Sequence, residues 1–352
     1  MRIAASVQSL VPYTPGEQPR DRSVVKLNTN ENPYPPSPLV SKVLAAYDLD
    51  RLRRYPDPVF SELRARIAAI NGTSPDRVFV GNGSDEVLTL AARAFVDDRE
   101  AIGSCDPSYS LYRTLAAIRN VPFVPSPLGP DFSWRPPVAH APDGRPVALF
   151  LLTNPNAPTS VRYPRKTVAA FARAFPGVVL VDEAYVDFAD ASCMALATAP
   201  DNANVVVMRT LSKSFSLAGL RLGYCVGPAD LVEALFKVKD SYNVDALAQD
   251  VALAALSDLP WMRRNAARVQ KTRAAAAAAL RARGWDVPDS QTNFLFARPP
   301  RRPAAEVFEA LRARRIYVRH FPGPRTGERL RITVGTDADM DALLAALDEL
   351  GA

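Results

Sequence analysis

The sequence predicts an α/β fold: a large, mostly parallel sheet with helices on both faces, joined to a smaller α/β domain. Short apolar segments alternate with segments of helical period through the first two thirds of the chain. Such uninterrupted apolar runs are typical of parallel strands, because helices bury both of their faces. The length of 352 residues exceeds the roughly 250 to 300 residues at which a single core stops growing. Two unequal domains are therefore expected.

Residues 1–40 are rich in proline, asparagine and charged side chains and show no helical period. They are predicted to form an N-terminal arm and a lead-in to the smaller domain. Residues 41–260 are predicted to form the large domain, and residues 261–352 the small C-terminal domain. The strands predicted in the large domain are residues 78–80, 101–104, 121–124, 147–152, 178–182 and 204–208.

Helices are predicted between most of these strands and through the small domain. SELRARIAAI, residues 61–70, has helical spacing and stops at Asn71-Gly72, a common helix end. A long helical stretch begins near residue 261 and ends at Gly284. The segments that follow alternate again, with strands predicted at 293–297, 316–320 and 329–335 and helices at 305–315 and from residue 337 onward.

Composition argues against several classes of function. The net charge of +6 comes from 43 basic and 37 acidic residues that are interspersed, so no basic block indicates a nucleic-acid surface. The small surplus favours anionic small molecules as substrates. His140 and His320 are the only histidines, so neither a histidine metal site nor a Ser-His-Asp triad is expected. No metal is predicted.

The cysteines and the apolar segments bear on where the protein works. Cys105, Cys193 and Cys225 are odd in number and have no regular spacing, which favours reduced thiols over a disulfide framework. The first twenty residues lack the apolar core of a signal peptide, and no apolar run of 18 residues follows. We expect a cytoplasmic protein with no membrane association.

The segment TLSKSFSLAGLRLGY, residues 210–224, carries the strongest functional signal. A lone lysine between serines is usually a solvated surface residue. Here Lys213 follows a buried-looking strand, and the glycines of the segment permit close approach of the backbone. Ser212 and Arg221 supply a hydroxyl and a guanidinium group, both suited to binding a phosphate.

Two further segments point to a ligand at the same edge of the sheet. Asp182 ends the strand VVLVD, and open α/β sheets bind ligands at the carboxyl ends of their strands. An aspartate there can also simply cap a turn. The turn at residues 81–86, GNGSDE, lies between a strand and a helix, where backbone amides attract phosphate. A glycine turn alone is more often only a tight connection.

Together these segments resemble the fold-type I enzymes that depend on pyridoxal 5'-phosphate (PLP), the aspartate aminotransferase group. The resemblance implies that Lys213 forms the Schiff base with PLP and that Ser212 and Arg221 hold its phosphate. It also implies that Asp182 pairs with the ring nitrogen and that Tyr185 bonds the ring hydroxyl. An ionised aspartate would keep that nitrogen protonated, which makes the ring an electron sink.

The same resemblance assigns four more residues to the cofactor. Ser84 and Asp85 match the turn that receives the phosphate. Tyr109, in DPSYSLY, matches the aromatic residue that stacks on the ring; the less favoured alternative is a core aromatic of the next helix. Tyr55, in RRYPDP, matches a tyrosine that reaches the phosphate bound by the partner subunit. A homodimer is therefore expected.

One segment departs from the family pattern. Members commonly carry Asn-Pro-Asn-Asn-Pro-Thr-Gly where this chain has NPNAPTS, residues 154–160. Ala157 stands where the family has the asparagine that bonds the ring hydroxyl. Asn156 is adjacent and is predicted as a cofactor contact, with Tyr185 able to serve alone. The loss of one hydrogen bond to a charged ring should cost about 1.5 to 3 kcal/mol.

Nearly the whole chain resembles one branch of this group, the histidinol-phosphate aminotransferases, through LNTNENPYPP, RRYPD, DEAYVDF and the ending YVRH to RLRITVG. The resemblance implies that Tyr13, Arg319 and Arg331 bind substrate anions. It implies a transferase of histidine biosynthesis that exchanges an amino group between L-histidinol phosphate and 2-oxoglutarate, giving imidazole-acetol phosphate and glutamate. Arginines suit a pocket that must accept a dicarboxylate and a phosphomonoester in turn.

Three alternatives stay open at this point. An aromatic amino acid aminotransferase would share the fold and the cofactor site. A PLP-dependent threonine-phosphate decarboxylase would release carbon dioxide without needing 2-oxoglutarate. A PLP-binding regulator fused to a DNA-binding domain is disfavoured, because the lead-in is too short for a helix-turn-helix.

Overall fold

The structure is a computed structural model that describes residues 3, 5–8, 10, 16–21, 23–199 and 201–352. A seven-stranded sheet forms its centre, in the order β2-β8-β7-β6-β5-β3-β4. The pairs from β4 through β3, β5 and β6 to β7 are parallel, whereas β8 is antiparallel to both of its neighbours. These strands are β2 (Val78–Gly81), β3 (Ala101–Asp106), β4 (Phe123–Pro127), β5 (Val147–Thr153), β6 (Val178–Asp182), β7 (Val205–Thr210) and β8 (Gly223–Val226).

The predicted α/β architecture is confirmed, but one strand was missed. Strand β8 has the sequence GYCV and directly follows the lysine segment. It returns antiparallel to β7 without a crossover helix between them. Strands were predicted from their alternation with helices, so a strand with no α-helix between it and the preceding strand was not recognised. The turn between β7 and β8 is the segment that holds Lys213.

Helices bury both faces of this sheet because apolar side chains occupy its strands throughout. One face packs against α4 (Ser84–Ala94), α5 (Leu111–Arg119) and α8 (Ala229–Val238). The opposite face packs against a larger apolar cluster that includes side chains of α3 (Ser61–Asn71), α6 (Arg165–Ala174) and α9 (Ala246–Ser257). The remaining short helices on this part of the chain are α1 (Ala5–Gln8), α2 (Pro38–Ala45) and α7 (Met194–Thr198).

A second apolar core lies in the C-terminal part of the chain. It contains a three-stranded antiparallel sheet, β11-β12-β9, and a parallel pair, β1-β10. Because β1 belongs to the lead-in, residues 25 and 26 are built into this C-terminal layer. The elements are β1 (Val25–Lys26), β9 (Phe294–Ala297), β10 (Ile316–Tyr317), β11 (Arg319–His320), β12 (Leu330–Thr333), α11 (Ala304–Ala313) and α12 (Asp337–Leu350).

The segment IYVRH, predicted as one strand, is divided between two sheets. Ile316–Tyr317 pairs with β1, and Arg319–His320 pairs with β12. Val318 lies between them and is buried in the second core. An apolar-polar alternation indicates an extended segment, but it does not reveal that the pairing partner changes along it.

The long helix α10 (Leu259–Ala282) connects the two cores. Its first part contributes Met262, Ala266 and Val269 to the larger core, and its last part contributes Ala276 and Leu280 to the smaller one. Asp258 is the N-cap of this helix, and its side chain accepts a hydrogen bond from the Trp261 backbone. The domain limits at residues 40 and 260 stay a prediction. Among the described residues, no helix is both long and apolar enough to cross a bilayer.

Candidate active site

A cavity of about 490 Å³ opens at the carboxyl ends of the parallel strands. Both cores contribute to its walls. The larger core supplies Asp182, Tyr185 and Lys213, and the C-terminal layer supplies Arg319 and Arg331. Crossover connections place the loops after parallel strands at one edge of the sheet, which is why residues far apart in sequence meet here. No cluster of metal-binding side chains occurs among the residues that the structure describes.

Lys213 lies in the turn after β7 and extends its amine into the cavity. The Nζ atom donates to the backbone oxygen of Thr29, 3.3 Å away. Burial lowers the pKa of Lys213 to about 8, the positive charge of Arg331 adds to this effect, and Glu31 and Asp85 oppose it. An amine with such a pKa is partly deprotonated near neutral pH, which makes it a usable nucleophile and base.

Asp182 ends β6 and is only 4% exposed. Its carboxylate accepts hydrogen bonds from the Tyr112 hydroxyl at 2.8 Å and from the Ala184 backbone at 3.0 Å. Burial nevertheless raises the pKa of Asp182 to about 6, although both hydrogen bonds act in the opposite direction. A buried carboxylate in this state would be stabilised by a cationic partner, and a protonated pyridine nitrogen is such a partner.

The turn before α4 is built to approach a small anion closely. Gly83 has a φ of +84°, and a Cβ there would lie 2.8 Å from the Arg221 guanidinium. A Cβ on Gly223 would lie 2.5 Å from the backbone nitrogen of Ser84. No side chain caps the first turn of α4, so its backbone donors can serve a bound group. The residues present therefore fit a phosphate.

Side chains around this turn form one polar cluster. Arg221 lies 3.4 Å from both the Asp85 carboxylate and the Ser212 hydroxyl. The Tyr109 hydroxyl donates to Asp85 at 3.4 Å. The Ser212 hydroxyl accepts from Thr210 at 3.0 Å. The structure thus brings together most of the residues that the resemblance assigned to the phosphate.

Two arginines form the wall opposite Lys213. Arg319 and Arg331 are cross-strand neighbours in β11 and β12. An Nη atom of Arg331 donates to the backbone oxygen of Asn28 at 2.8 Å. The ring of Phe321 lies 5.2 Å from the Arg331 guanidinium and 5.3 Å from that of Arg319. Two neighbouring guanidinium groups of this kind can pair with carboxylate or phosphate groups.

Residues 22–347 match the family described as aminotransferase class I and II. The chain belongs to this family. It is 42% identical over 350 residues to a histidinol-phosphate aminotransferase of Citrifermentans bemidjiense, covering 99% of this chain and 98% of that protein. It is 45% identical over 346 residues to a histidinol-phosphate aminotransferase of Gluconacetobacter diazotrophicus, covering 97% and 95%.

Among solved structures, the histidinol-phosphate aminotransferase of Sinorhizobium meliloti in complex with PLP superposes with a TM-score of 0.88. The identity is 25%, and the match covers 99% of this chain and 97% of that one. These matches confirm the predicted family, the predicted fold type and the predicted cofactor class. The roles of individual side chains in this aminotransferase stay predictions.

Two of the described site residues, Tyr55 and Asn156, do not line the cavity. Tyr13 falls outside the described residues. Tyr55 is 80% exposed and its ring stacks on Tyr242 at 4.4 Å. The Asn156 amide is used within its own loop, accepting from the Thr159 hydroxyl at 2.8 Å. It is Ala157 that lines the cavity.

Sequence reasoning missed two groups of neighbours of the site. Tyr112 is fully buried and bonds Asp182; it lies on α5, three positions beyond Tyr109, which precedes the helix. The lead-in LNTNENP threads past the site, where Thr29 contacts Lys213, and Asn30 contacts Tyr185. The run of asparagines in an otherwise extended segment was the available signal, because side-chain amides that crowd a buried segment need partners.

Proposed function

We propose that this aminotransferase exchanges an amino group between L-histidinol phosphate and 2-oxoglutarate and acts in histidine biosynthesis. One observation carries the proposal: a single cavity joins an amine of lowered pKa, a buried carboxylate, a phosphate-sized turn and two arginines. The activity named for relatives at 42% and 45% identity supports histidinol phosphate as the amino donor.

The residues around the cavity suggest how PLP would be held. Ser84, Ser212 and Arg221 would bind the phosphate, with Asp85 orienting the guanidinium. Asp182 would pair with the ring nitrogen, Tyr185 would donate to the ring oxygen and Tyr109 would cover the ring face. When bound, PLP supplies an aldehyde carbon that amines attack and a ring that withdraws electrons.

Lys213 would act as the catalytic base and acid. Its pKa of about 8 lets the Nζ atom take a proton from the amine-bearing carbon of the substrate and return it later near neutral pH. The bond to Thr29 restricts where the amine points. Asp182 would remain ionised with PLP bound, because a cationic ring nitrogen as its partner would lower its pKa from the value in the cofactor-free protein.

Arg319 and Arg331 would bind the two substrates in turn. A guanidinium group pairs equally well with a carboxylate and with a phosphate oxygen. The aromatic rings of Phe321 and Tyr109 line the same space and can contact an imidazole ring. The pocket therefore suits a substrate that has both an aromatic ring and a distal anion.

A cytoplasmic homodimer is part of the proposal. Apolar side chains cluster on the surface near Tyr55, where Leu49 is 74% and Leu52 is 61% exposed. A second copy would bury them and bring its Tyr55 to the phosphate. Mixed dimers test this: a Lys213→Ala subunit paired with a Tyr55→Ala subunit should contain one intact site. Regained activity on mixing supports the shared site, and no regain contradicts it.

The substrate assignment is tested by comparing amino transfer to 2-oxoglutarate from histidinol phosphate, phenylalanine and tyrosine by kcat/KM. Histidinol phosphate should lead by at least about a hundredfold, which corresponds to about 2.7 kcal/mol of transition-state binding. Lys213→Ala should lower kcat by several orders of magnitude. A lead for an aromatic amino acid, or carbon dioxide release without 2-oxoglutarate, would replace this substrate with one of the alternatives.

A further inference from the structure

The ring-oxygen side of the cavity lacks a donor that this family commonly has. Ala157 lines the cavity there and offers only a methyl group. The neighbouring Asn156 is fully buried and its amide bonds Thr159 and the Pro107 backbone. Neither side chain supplies a hydrogen bond to a group in the cavity. The Tyr185 hydroxyl is thus more important in this chain than where an asparagine assists it.

Asn30 donates a hydrogen bond to that hydroxyl. Its Nδ2 atom donates to the Tyr185 hydroxyl oxygen at 3.0 Å, and Asn30 is only 1% exposed. The Thr333 hydroxyl lies 3.0 Å from the Asn30 backbone nitrogen, from which it accepts, and 3.0 Å from Oδ1, to which it donates. With Oδ1 engaged by a donor, Nδ2 is the atom left to face Tyr185.

The backbone around Asn30 holds the amide in this orientation. Asn30 has a φ of 56°, a left-handed conformation that asparagine adopts more readily than most residues. Its carbonyl accepts from Asn293 at 3.0 Å. On the amino-terminal side of Asn30, the chain is held in place by β1, which pairs with β10. The donor therefore has little freedom to turn away from Tyr185.

We propose that Asn30 is a positioning residue that orients the Tyr185 hydroxyl as a donor toward the ring oxygen of PLP, offsetting the alanine at position 157. The inference rests on the proposed function, which assigns Tyr185 to that oxygen. A hydroxyl that accepts one hydrogen bond can still donate its own proton, and accepting strengthens the bond that it donates. Asn30 thereby acts on the cofactor through Tyr185, without touching it.

A donor at the ring oxygen stabilises negative charge there, which lowers the pH at which the bound chromophore loses its proton. The test is a pH titration of the visible absorption band of the holoenzyme. Asn30→Gly removes the amide while tolerating the left-handed backbone. It should raise the midpoint by about half a pH unit or more. Tyr185→Phe should raise it further, and Ala157→Asn should lower it.

The decisive comparison is made in the Tyr185→Phe background. If Asn30 acts through the hydroxyl, adding Asn30→Gly there shifts the midpoint by less than about 0.1 unit. An equal shift in both backgrounds, or no shift in either, overturns the proposal. Thr333→Val, which frees the Asn30 amide, should raise the midpoint by a smaller amount and serves if Asn30→Gly folds poorly.

Asn204→Ala is the matched control. Asn204 donates to three backbone carbonyls next to the amino end of β7, at the edge of the sheet away from the cavity. The Asn204→Ala variant should have a lower thermal stability and an unchanged midpoint in the pH titration of the PLP band. Failure of the proposed function has a different signature: the wild-type protein would prefer an aromatic amino acid or release carbon dioxide in the substrate comparison, whereas failure of this inference leaves the substrate preference intact and the midpoint of the PLP band indifferent to Asn30.

Discussion

Tyr112→Phe tests the charge state of Asp182 with the removal of a single oxygen atom. The Tyr112 hydroxyl is fully buried and donates to Asp182 at 2.8 Å, and phenylalanine keeps the ring that packs in the core. A hydrogen bond to a charged group contributes about 1.5 to 3 kcal/mol. Since about 1.4 kcal/mol corresponds to one pKa unit, the pKa of Asp182 should rise from about 6 by about one to two units.

The effect on stability depends on pH in a defined direction. The pKa of Asp182 in the folded, cofactor-free protein lies above its ordinary value of 3.8, so folding favours the protonated form. Stability from this group is present below about pH 4 and is lost as the pH rises to about 6. In the Tyr112→Phe variant the stability contributed by Asp182 should continue to fall until about pH 7 or 8.

The assay is urea unfolding of the cofactor-free protein at pH 5 and pH 8, at one protein concentration. The destabilisation caused by Tyr112→Phe should be larger at pH 8 by about 1 to 2 kcal/mol. Taking the difference between variant and wild type cancels the titration of the other acidic groups. In an Asp182→Asn background the destabilisation should not depend on pH. An equal destabilisation at both pH values in the native background would refute the reasoning.

Three further changes have defined outcomes. Ser160 has a φ of +67°, and its buried hydroxyl has no hydrogen-bond partner among the described residues. Ser160→Gly should therefore raise the free energy of unfolding by about 1 kcal/mol. A lower melting temperature in calorimetry would contradict this. Glu183 is 2% exposed and accepts two hydrogen bonds from Arg209, at 2.9 and 3.0 Å. Glu183→Gln should therefore destabilise the protein by about 3 to 5 kcal/mol in urea unfolding. Adding Arg209→Met to this variant should recover part of the lost stability. Arg325 donates to three backbone carbonyls of the larger core and so holds the loop at residues 321–326 beside the cavity. Arg325→Lys, which lacks the planar guanidinium fork, should raise KM about tenfold with little change in kcat. An unchanged KM would show that this contact does not hold the loop.

The chemistry of the site could be predicted where local sequence sets it. Asp182 ends an apolar strand and Lys213 closely follows another, and the rule that parallel sheets bind ligands at their carboxyl ends was enough to bring them together. The glycines at 81 and 83 marked a close backbone approach because they carry no Cβ. A short segment contained both the strand and the functional residue in each case.

The rest depends on contacts between distant segments. Asn30 and Thr333 are 303 positions apart, and no local period indicates that they meet. Tyr112 was hidden because a buried helix position predicts packing before it predicts a hydrogen bond. The split of residues 316–320 between two sheets has the same origin, since the partner of a strand is a property of the whole fold.

The lead-in has a consequence for the order in which the protein matures during synthesis. The residues that contact Lys213 and Tyr185 leave the ribosome long before β10 and Thr333, which fix them. At about 5 to 20 residues per second, the 303 positions that separate Asn30 from Thr333 take roughly 15 to 60 s to translate. Most of the larger core can collapse during that interval, but the site stays incomplete until Thr333 has emerged. Truncated nascent chains should therefore acquire sheet structure well before they acquire the finished pocket.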